Sequence, residues 1–293
     1  MADDGPLPLI GVVVLSQGRR PAELAGALAS VAAQQGVGTQ VVVVGNGWRP
    51  VALPPEVAGL ALPENVGIPA GRNAGVPCVA GDLIFFLDDD ATVPDPGFLA
   101  TAARRFAVDD RLGVLQPRVD VLGGGVAPRR WTPRLRAGDP RRSSPVFSVW
   151  EGALVVRRTA FESAGRWPDP FFYAHEGIEL AWRVWDAGFS VWYAGDLVAE
   201  HPLTHQTRHV DYLRLNARNR VWLARRNLPW IFGIPYVVSW TALQVVRSAR
   251  DPAALSSWFH GWLEGWRVSA GPRTPLRWAT VWRMARHGRP PVL

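Results

Sequence analysis

The chain has 293 residues, 48% hydrophobic and 19% charged, a composition that excludes a disordered chain and suffices for one large domain or two small ones. Its balance is basic, 32 Lys+Arg against 25 Asp+Glu for a net charge of +7, and every one of those cations is Arg. A GC-rich genome accounts for that usage as well as ligand chemistry does, although Arg forks suit diphosphates and lipid headgroups; no nucleic-acid-binding module accompanies the charge.

The opening "MADDGPLP" is acidic and lacks an apolar core, which predicts a chain that stays in the cytoplasm. "LIGVVVLS" (9–16) and "QVVVVGNG" (40–47) are β-branched runs that break into Gly and polar residues, and 21–34 between them reads as a helix started by Pro21. Strand, helix, strand at this spacing predicts a βαβ unit and a parallel sheet. "LALP" (60–63), a helix over about 69–79 and a strand over 83–87 continue the pattern, followed by a helix over 96–108 and a strand over 113–119. Cys78, the one cysteine, excludes an internal disulfide and a thiolate metal cluster. Residues 123–145 hold six Arg among Gly and Pro without periodicity, and predict a mobile loop, either a solvated insertion or a basic lid over an anionic ligand. Order returns with a strand pair at 146–158, a helix at 175–188 stopped by Gly188, strands at 189–195 and 197–201, and an amphipathic helix at 209–227.

The strand 83–87 ends in three carboxylates, Asp88, Asp89 and Asp90. In open α/β sheets ligands collect beyond the carboxyl ends of the strands, where this cluster falls. In an extended segment Asp88 and Asp90 share a face, with Cα atoms ~6.6 Å apart at a rise of ~3.3 Å per residue, and Asp89 points away, dispensable for binding an ion. Carboxylates so spaced divide more readily between a hard cation and a sugar hydroxyl than they crowd onto one ion. Alone, the triplet is equally well a solvated acidic turn.

Other segments accompany it: "VVVLSQGRR" (12–20), "VVVVGNG" (41–47), "ENVGIPAGRNAGV" (64–76), "HEGIELAWR" (175–183), and "EH" (200–201) before "YLRLNARNR" (212–220). In this order they resemble glycosyltransferase family 2 over about residues 9–227. The resemblance implies a GT-A fold, an α/β Rossmann-like, mostly parallel sheet with flanking helices, and inverting transfer from a nucleotide-diphosphate sugar. It places Asn65, Gly67, Arg72, Asn73 and Gly75 near the diphosphate and sugar, and Arg72 has the fork geometry for phosphate. It maps the aspartate-x-aspartate motif to Asp88, a donor contact, and Asp90, a metal ligand, the two sharing a metal-bound donor; His201 completes the metal site. The implied cofactor is Mn²⁺ or Mg²⁺, and imidazole suits Mn²⁺ better.

Inversion needs a base that takes the acceptor proton while the nucleotide leaves from the other face. The family supplies a Glu-Asp pair at a helix start, but here Glu176 is followed by Gly177 in the Asp position. Glu176 is therefore the expected base, with Glu179 or His175 as substitutes, although Glu179 and Arg183 also suit a helix ion pair. Gly45 stands where the family often has a base-reading Asp, which leaves Asn46, Ser16 and the Gln17–Arg20 turn, Gln17 and Arg19 included, to contact the donor.

Thirteen of the 15 Trp lie from Trp150 onward. Residues 1–227 are expected to form the catalytic domain and 228–293 a helical, Trp-rich C-terminal region. Residues 227–246 carry no charge, but Pro229, Gly233 and Pro235 break them as a membrane span, and Trp258, Trp262 and Trp266 follow at i,i+4 spacing. That stripe suits a membrane surface, packing on the catalytic domain, or a homodimer contact. The acceptor is expected to be a glycan or a lipid-linked glycan of the cell envelope, with the chain in the cytoplasm or peripheral on the inner membrane face. The missing Asp at positions 45 and 177 also admit a catalytically degenerate sugar-nucleotide-binding or scaffold protein.

Overall fold

The computed structural model describes residues 7–203, 211–287 and 289–291. Eight strands form one sheet in the order β3-β2-β1-β4-β7-β5-β8-β6. The left half, β1 (Leu9–Ser16), β2 (Gly38–Asn46), β3 (Val57–Leu62) and β4 (Leu83–Asp88), is parallel throughout. β1, β2 and β4 are apolar on both faces because both faces are covered, and this is why they read as continuous Val, Leu and Phe runs. Alternation divides their side chains between two cores. Val13, Val44 and Phe86 lie in one, and Val12, Val14, Phe85 and Leu87 in the other. Helices α1 (Pro21–Ala32) and α3 (Phe98–Val108) close the second core. On the first face α2 (Ile68–Gly75) packs against β1 and β2, and α4 (Arg158–Ser163) and α5 (Glu176–Asp186) contribute Phe161, Leu180 and Val184 to the core.

The right half departs from the sequence reading. The strand pair expected over 146–158 is one strand, β7 (Ala153–Arg157), antiparallel between β4 and β5 (Leu112–Val121). Residues 146–152 form no strand, and a two-residue strand just before them, β6 (Ser144–Pro145), pairs with the last long strand at the sheet edge. The two strands expected at 189–201 are one, β8 (Ser190–His201), whose pairing with β5 slips from Ala194 to Val198; the break in apolar pattern was a bulge. Six parallel strands thus deliver their carboxyl ends to one edge, while β7, running the other way, delivers its amino end there.

Segment 123–145 has little regular structure beyond a single turn of 3₁₀-helix at Arg129–Trp131. It is fastened by Gln116, which donates to the Trp131 carbonyl at 3.0 Å and buries that ring, and by Arg134, which donates to the Arg142 and Asp139 carbonyls. Beyond β8 come α6 (Tyr212–Asn227), α7 (Trp230–Arg247), α8 (Pro252–Arg267) and α9 (Trp278–Arg286). Positions 209 and 210 of the helix expected at 209–227 lie outside the described residues. α8 lies close on α6 because Gly261 and Gly265 face it; a Cβ at Gly265 would stand 2.7 Å from Val221. Tyr236, Val237, Val281 and Met284 join the same core as Trp182 and Trp222, so the C-terminal helices share a core with α5 and α6. Trp258 is buried, while Trp262 and Trp266 are half-buried, packing partly against that core and partly lining a groove with Ile234 and Val238. Among the described residues no helix is long and apolar enough to cross a membrane.

Candidate functional site

The aspartates sit where β4 ends in a turn closed by the Ala91 amide on the Asp88 carbonyl (3.1 Å), not in an extended run. Asp88 and Asp90 nonetheless come together with His201: one ligand atom from each lies within 4.8 Å of the others. Thr92 brings this about by exchanging two backbone hydrogen bonds with Glu200 (2.8 and 2.9 Å), which docks the turn against the end of β8. Asp89 is not a solvated neighbour. It is buried, accepts from Ser16 Oγ at 2.6 Å and pairs with Arg20, tying the end of β4 to that of β1.

Two guanidinium groups offset the three carboxylates. Arg20 bridges Asp89 and Asp90. Arg72, only 1% exposed, donates from Nη2 to Asp88 Oδ1 at 2.7 Å and lies 5.1 Å from the Trp167 ring. Burial raises the pKa of Asp88, but Arg72, with His201 and Arg20 behind it, outweighs burial and holds the carboxyl below its ordinary value. The donor set of two carboxylates and an imidazole fits a divalent cation such as Mn²⁺ or Mg²⁺. His201 is prepared for that role. Its Nδ1 donates to the Pro202 carbonyl (2.6 Å), which leaves Nε2 facing Asp90 Oδ1 at 3.1 Å, and the rings of Trp131 and Trp150 stand edge-on to it at 5.6 and 5.0 Å.

The expected donor residues divide into two groups. Ser16, Arg72 and Asp88 belong to the charged cluster. Asn46, Asn65, Gly67 and Asn73 hold backbone together. Asn46 donates to Asn65 Oδ1 and the Gly67 carbonyl and accepts from the Val66 amide at 2.9 Å. Asn73 exchanges hydrogen bonds with the Trp167 backbone and donates to Asp169. Gly67 adopts φ 86°, and a Cβ there would lie 2.6 Å from the Phe172 backbone, so only glycine lets the 169–175 loop approach. Gln17 and Arg19 are exposed on the β1 turn; it is their neighbour Arg20 that reaches the aspartates. At Gly45 a Cβ would strike the Trp48 carbonyl, so the turn after β2 has closed over the space a side chain would need.

The three candidate bases separate. Glu179 is paired with Arg226 (2.7 Å) and accepts from Asn227 (3.0 Å) rather than from Arg183, and it lines a cavity of about 530 Å³ with Arg183, Arg226 and Arg277 that none of Asp88, Asp90 and His201 lines. That makes it a strut between α5 and α6. His175 precedes α5 in a left-handed conformation (φ 71°), and burial, then Arg220, lowers its pKa well below the ordinary imidazole value. Glu176 opens α5 and is 3% exposed. Burial and the neighbouring Glu151 carboxylate push its pKa up to about 8, and its Oε2 has no partner among the described residues.

Sequence reasoning missed Glu151. It lies just before β7 and accepts the Gly177 amide at 2.8 Å, in the first turn of α5, whose own N-cap residue supplies no side-chain bond. A Cβ at Gly177 would land on Glu151 Oε1 and 2.6 Å from the Val149 carbonyl oxygen, so glycine makes the room this carboxylate occupies. Burial raises the Glu151 pKa, while Arg72 and the Gly177 amide oppose it. The signal available in sequence was negative: an absent side chain at position 177.

Residues 12–165, more than half of the chain, match the family described as Glycosyl transferase family 2. A pre-mycofactocin glycosyltransferase, found in two strains of Mycobacterium tuberculosis, is 27% identical over 170 residues, 55% of this chain and 35% of the relative. The chain thus spans about a third of the length of the curated relatives it matches. Among solved structures it is similar in fold to S. aureus TarS 1–349 (13% identity, TM-score 0.60, 87% of this chain and 80% of that one). It is likewise similar to GalNAc-T7 with UDP, GalNAc and Mn²⁺ (14%, 0.64, 96% and 57%). A third is the mannosyltransferase PcManGT from Pyrobaculum calidifontis with GDP-Man and Mn²⁺ (15%, 0.55, 98% and 82%). The mixed sheet, its flanking helices and these neighbours are those of the expected GT-A fold. By the family match over more than half its length, the chain belongs to glycosyltransferase family 2.

Proposed function

We propose that the protein is a metal-dependent inverting glycosyltransferase that moves a sugar from a nucleotide-diphosphate sugar to a hydroxyl of a glycan or lipid-linked acceptor. The observation that carries this is the convergence of Asp88, Asp90 and His201 within 4.8 Å, beside a buried Arg72 whose Nη1 has no partner among the described residues. A buried, unsatisfied guanidinium donor is costly, and a phosphate oxygen satisfies it. Relatives in fold were solved with UDP or GDP-Man and Mn²⁺, which supports the same donor class here. Asp88, Asp90 and His201 would hold the ion, which when bound neutralises the departing diphosphate as a Lewis acid. Arg72 binds the diphosphate, Asp88 positions the donor, and one of the two carboxylates that meet at the start of α5, Glu151 or Glu176, takes the acceptor proton. The uncovered apolar side of α7, with Ile231, Ile234 and Val238 exposed, supports attachment to an anionic membrane surface, where a lipid-linked acceptor would be met.

The test is a thermal-shift screen of nucleotide sugars with and without Mn²⁺, followed by nucleoside-diphosphate release from whichever donor binds. A shift that needs sugar nucleotide and Mn²⁺ together, abolished in Asp90→Asn, is the expected result. Full release in Asp90→Asn overturns the metal assignment. Binding without any release identifies a non-catalytic scaffold instead.

A further inference from the structure

The carboxylates at the start of α5 come from two distant segments, and their surroundings differ. Glu176 is sealed, with an Oε2 that meets no donor among the described residues. Glu151 is only half-buried and accepts the Gly177 amide, so one oxygen has a backbone donor that favours its charged form. It is also placed by the sheet: the Asp88 amide donates to the Gly152 carbonyl at 2.8 Å, so the residue beside Glu151 is hydrogen-bonded to the aspartate turn. Arg72 and Asp88 are felt by both glutamates, which makes the four groups one electrostatic neighbourhood. Position 177 carries no side chain of its own, and the Glu151 carboxylate fills that space.

Resting on the proposed transferase reading, we propose that Glu151 is the catalytic base: its carboxylate, seated in the space that Gly177 leaves, takes the proton of the acceptor hydroxyl. The acceptor oxygen forms the new bond to the anomeric carbon as the bond from that carbon to the diphosphate oxygen breaks. The electron pair leaves with the nucleoside diphosphate, and the hydroxyl proton ends on the Glu151 carboxylate, from which solvent removes it. Glu176 stands behind as a neutral acid, since its raised pKa of about 8 keeps it protonated at neutral pH and unable to accept. Burial raises both carboxyls, but the Gly177 amide works against it at Glu151, so of the two it is Glu151 that can take the proton.

The experiment measures nucleoside-diphosphate release from the donor found in the screen, using the full chain with Mn²⁺. Glu151→Gln is expected to lower kcat about 100-fold or more, the span of general-base catalysis, at unchanged donor KM and with an unchanged thermal shift by UDP or GDP plus Mn²⁺. Glu162→Gln, which alters an exposed ion pair with Arg166, serves as the unaffected control. A merely structural cap on α5 would move melting temperature and KM together and leave kcat within about threefold. Release by Glu151→Gln within threefold of wild type overturns the proposal while leaving the transferase reading intact. No release by wild type overturns that reading first. Where Glu151→Gln does not fold, Glu151→Asp asks the same question, because it keeps the charge and draws the carboxylate back by one methylene; an unaltered kcat in that variant also overturns the assignment.

Discussion

A carboxyl group sealed from water resists ionisation, and Glu176 makes that resistance measurable. Unfolded, it titrates near its ordinary 4.5; folded, burial and Glu151 push it to about 8. Between those values the unfolded chain has lost the proton and the folded chain keeps it, so this group makes the fold less stable as pH rises. The slope is at most about 1.4 kcal/mol per pH unit. Glu176→Gln removes the ionisation, so its melting temperature should gain on wild type between about pH 5 and about pH 8. A constant difference would show that the group is solvated. Arg20 offers a second test at this scale. It occupies Asp90, so an ion must compete with it. Arg20→Ala should melt earlier without metal and show a larger Mn²⁺-induced rise than wild type, read by differential scanning fluorimetry. An equal or smaller rise would mean that Asp90 is not a ligand. Asp88, Asp90 and His201 were legible in sequence because they follow apolar runs and match, in order, the motifs of the family that the chain resembles. Arg20 and Glu151 were not, because nothing local distinguishes Arg20 from Arg19, or Glu151 from any loop acid.

At the scale of elements, the acidic cluster depends on strand direction. β1, β4 and β8 end where their sequence says strands end, and parallel pairing brings those ends to one edge. β7 breaks the expectation: it runs antiparallel between β4 and β5, so the residues before it, not after it, reach the site. Periodicity cannot reveal direction, and the strand pair read over 146–158 hid this reversal. The loop before α5 was equally illegible. Phe172, Ala174 and His175 adopt positive φ, a strained conformation that surrounding contacts must hold. Asn219 of α6 supplies the hold, its Nδ2 donating to the carbonyls of Phe171, Tyr173 and Ala174 at 2.8–2.9 Å. Asn219→Ala takes a shared donor from three carbonyls, one of which keeps Arg218, and a loss of about 1–3 kcal/mol is expected in urea unfolding. Because the loop sets the start of α5, nucleotide release should fall further than donor binding. A stable variant with wild-type turnover would show that the loop holds its shape unaided.

Over the whole molecule, charge and apolar surface converge on the C-terminal helices. The net charge is +7, and Arg247, Arg250 and Arg267 are exposed at the ends of α7 and α8. Ile231, Ile234, Val238 and Val246 leave one side of α7 uncovered, and Trp282 of α9 is 65% exposed. A helix of this kind, rimmed by Arg, binds an anionic interface through apolar insertion and charge together. Trp262 and Trp266 of α8 line an apolar groove with Ile234 and Val238, so α8 adds to the same surface beside α7 and α9. The chain should therefore co-sediment with phosphatidylglycerol vesicles and not with phosphatidylcholine vesicles. Raised salt should release it, since the surface potential is screened within a Debye length of about 8–10 Å. Ile234→Glu and Val238→Glu together place two carboxylates in the apolar strip and should abolish sedimentation without lowering the melting temperature, because both side chains are exposed. A protein that stays in the supernatant with both lipids, and whose sedimentation coefficient rises with its own concentration, would instead have covered this side with a second copy of itself. The same double substitution would then return it to a monomer, so one pair of variants reads either outcome.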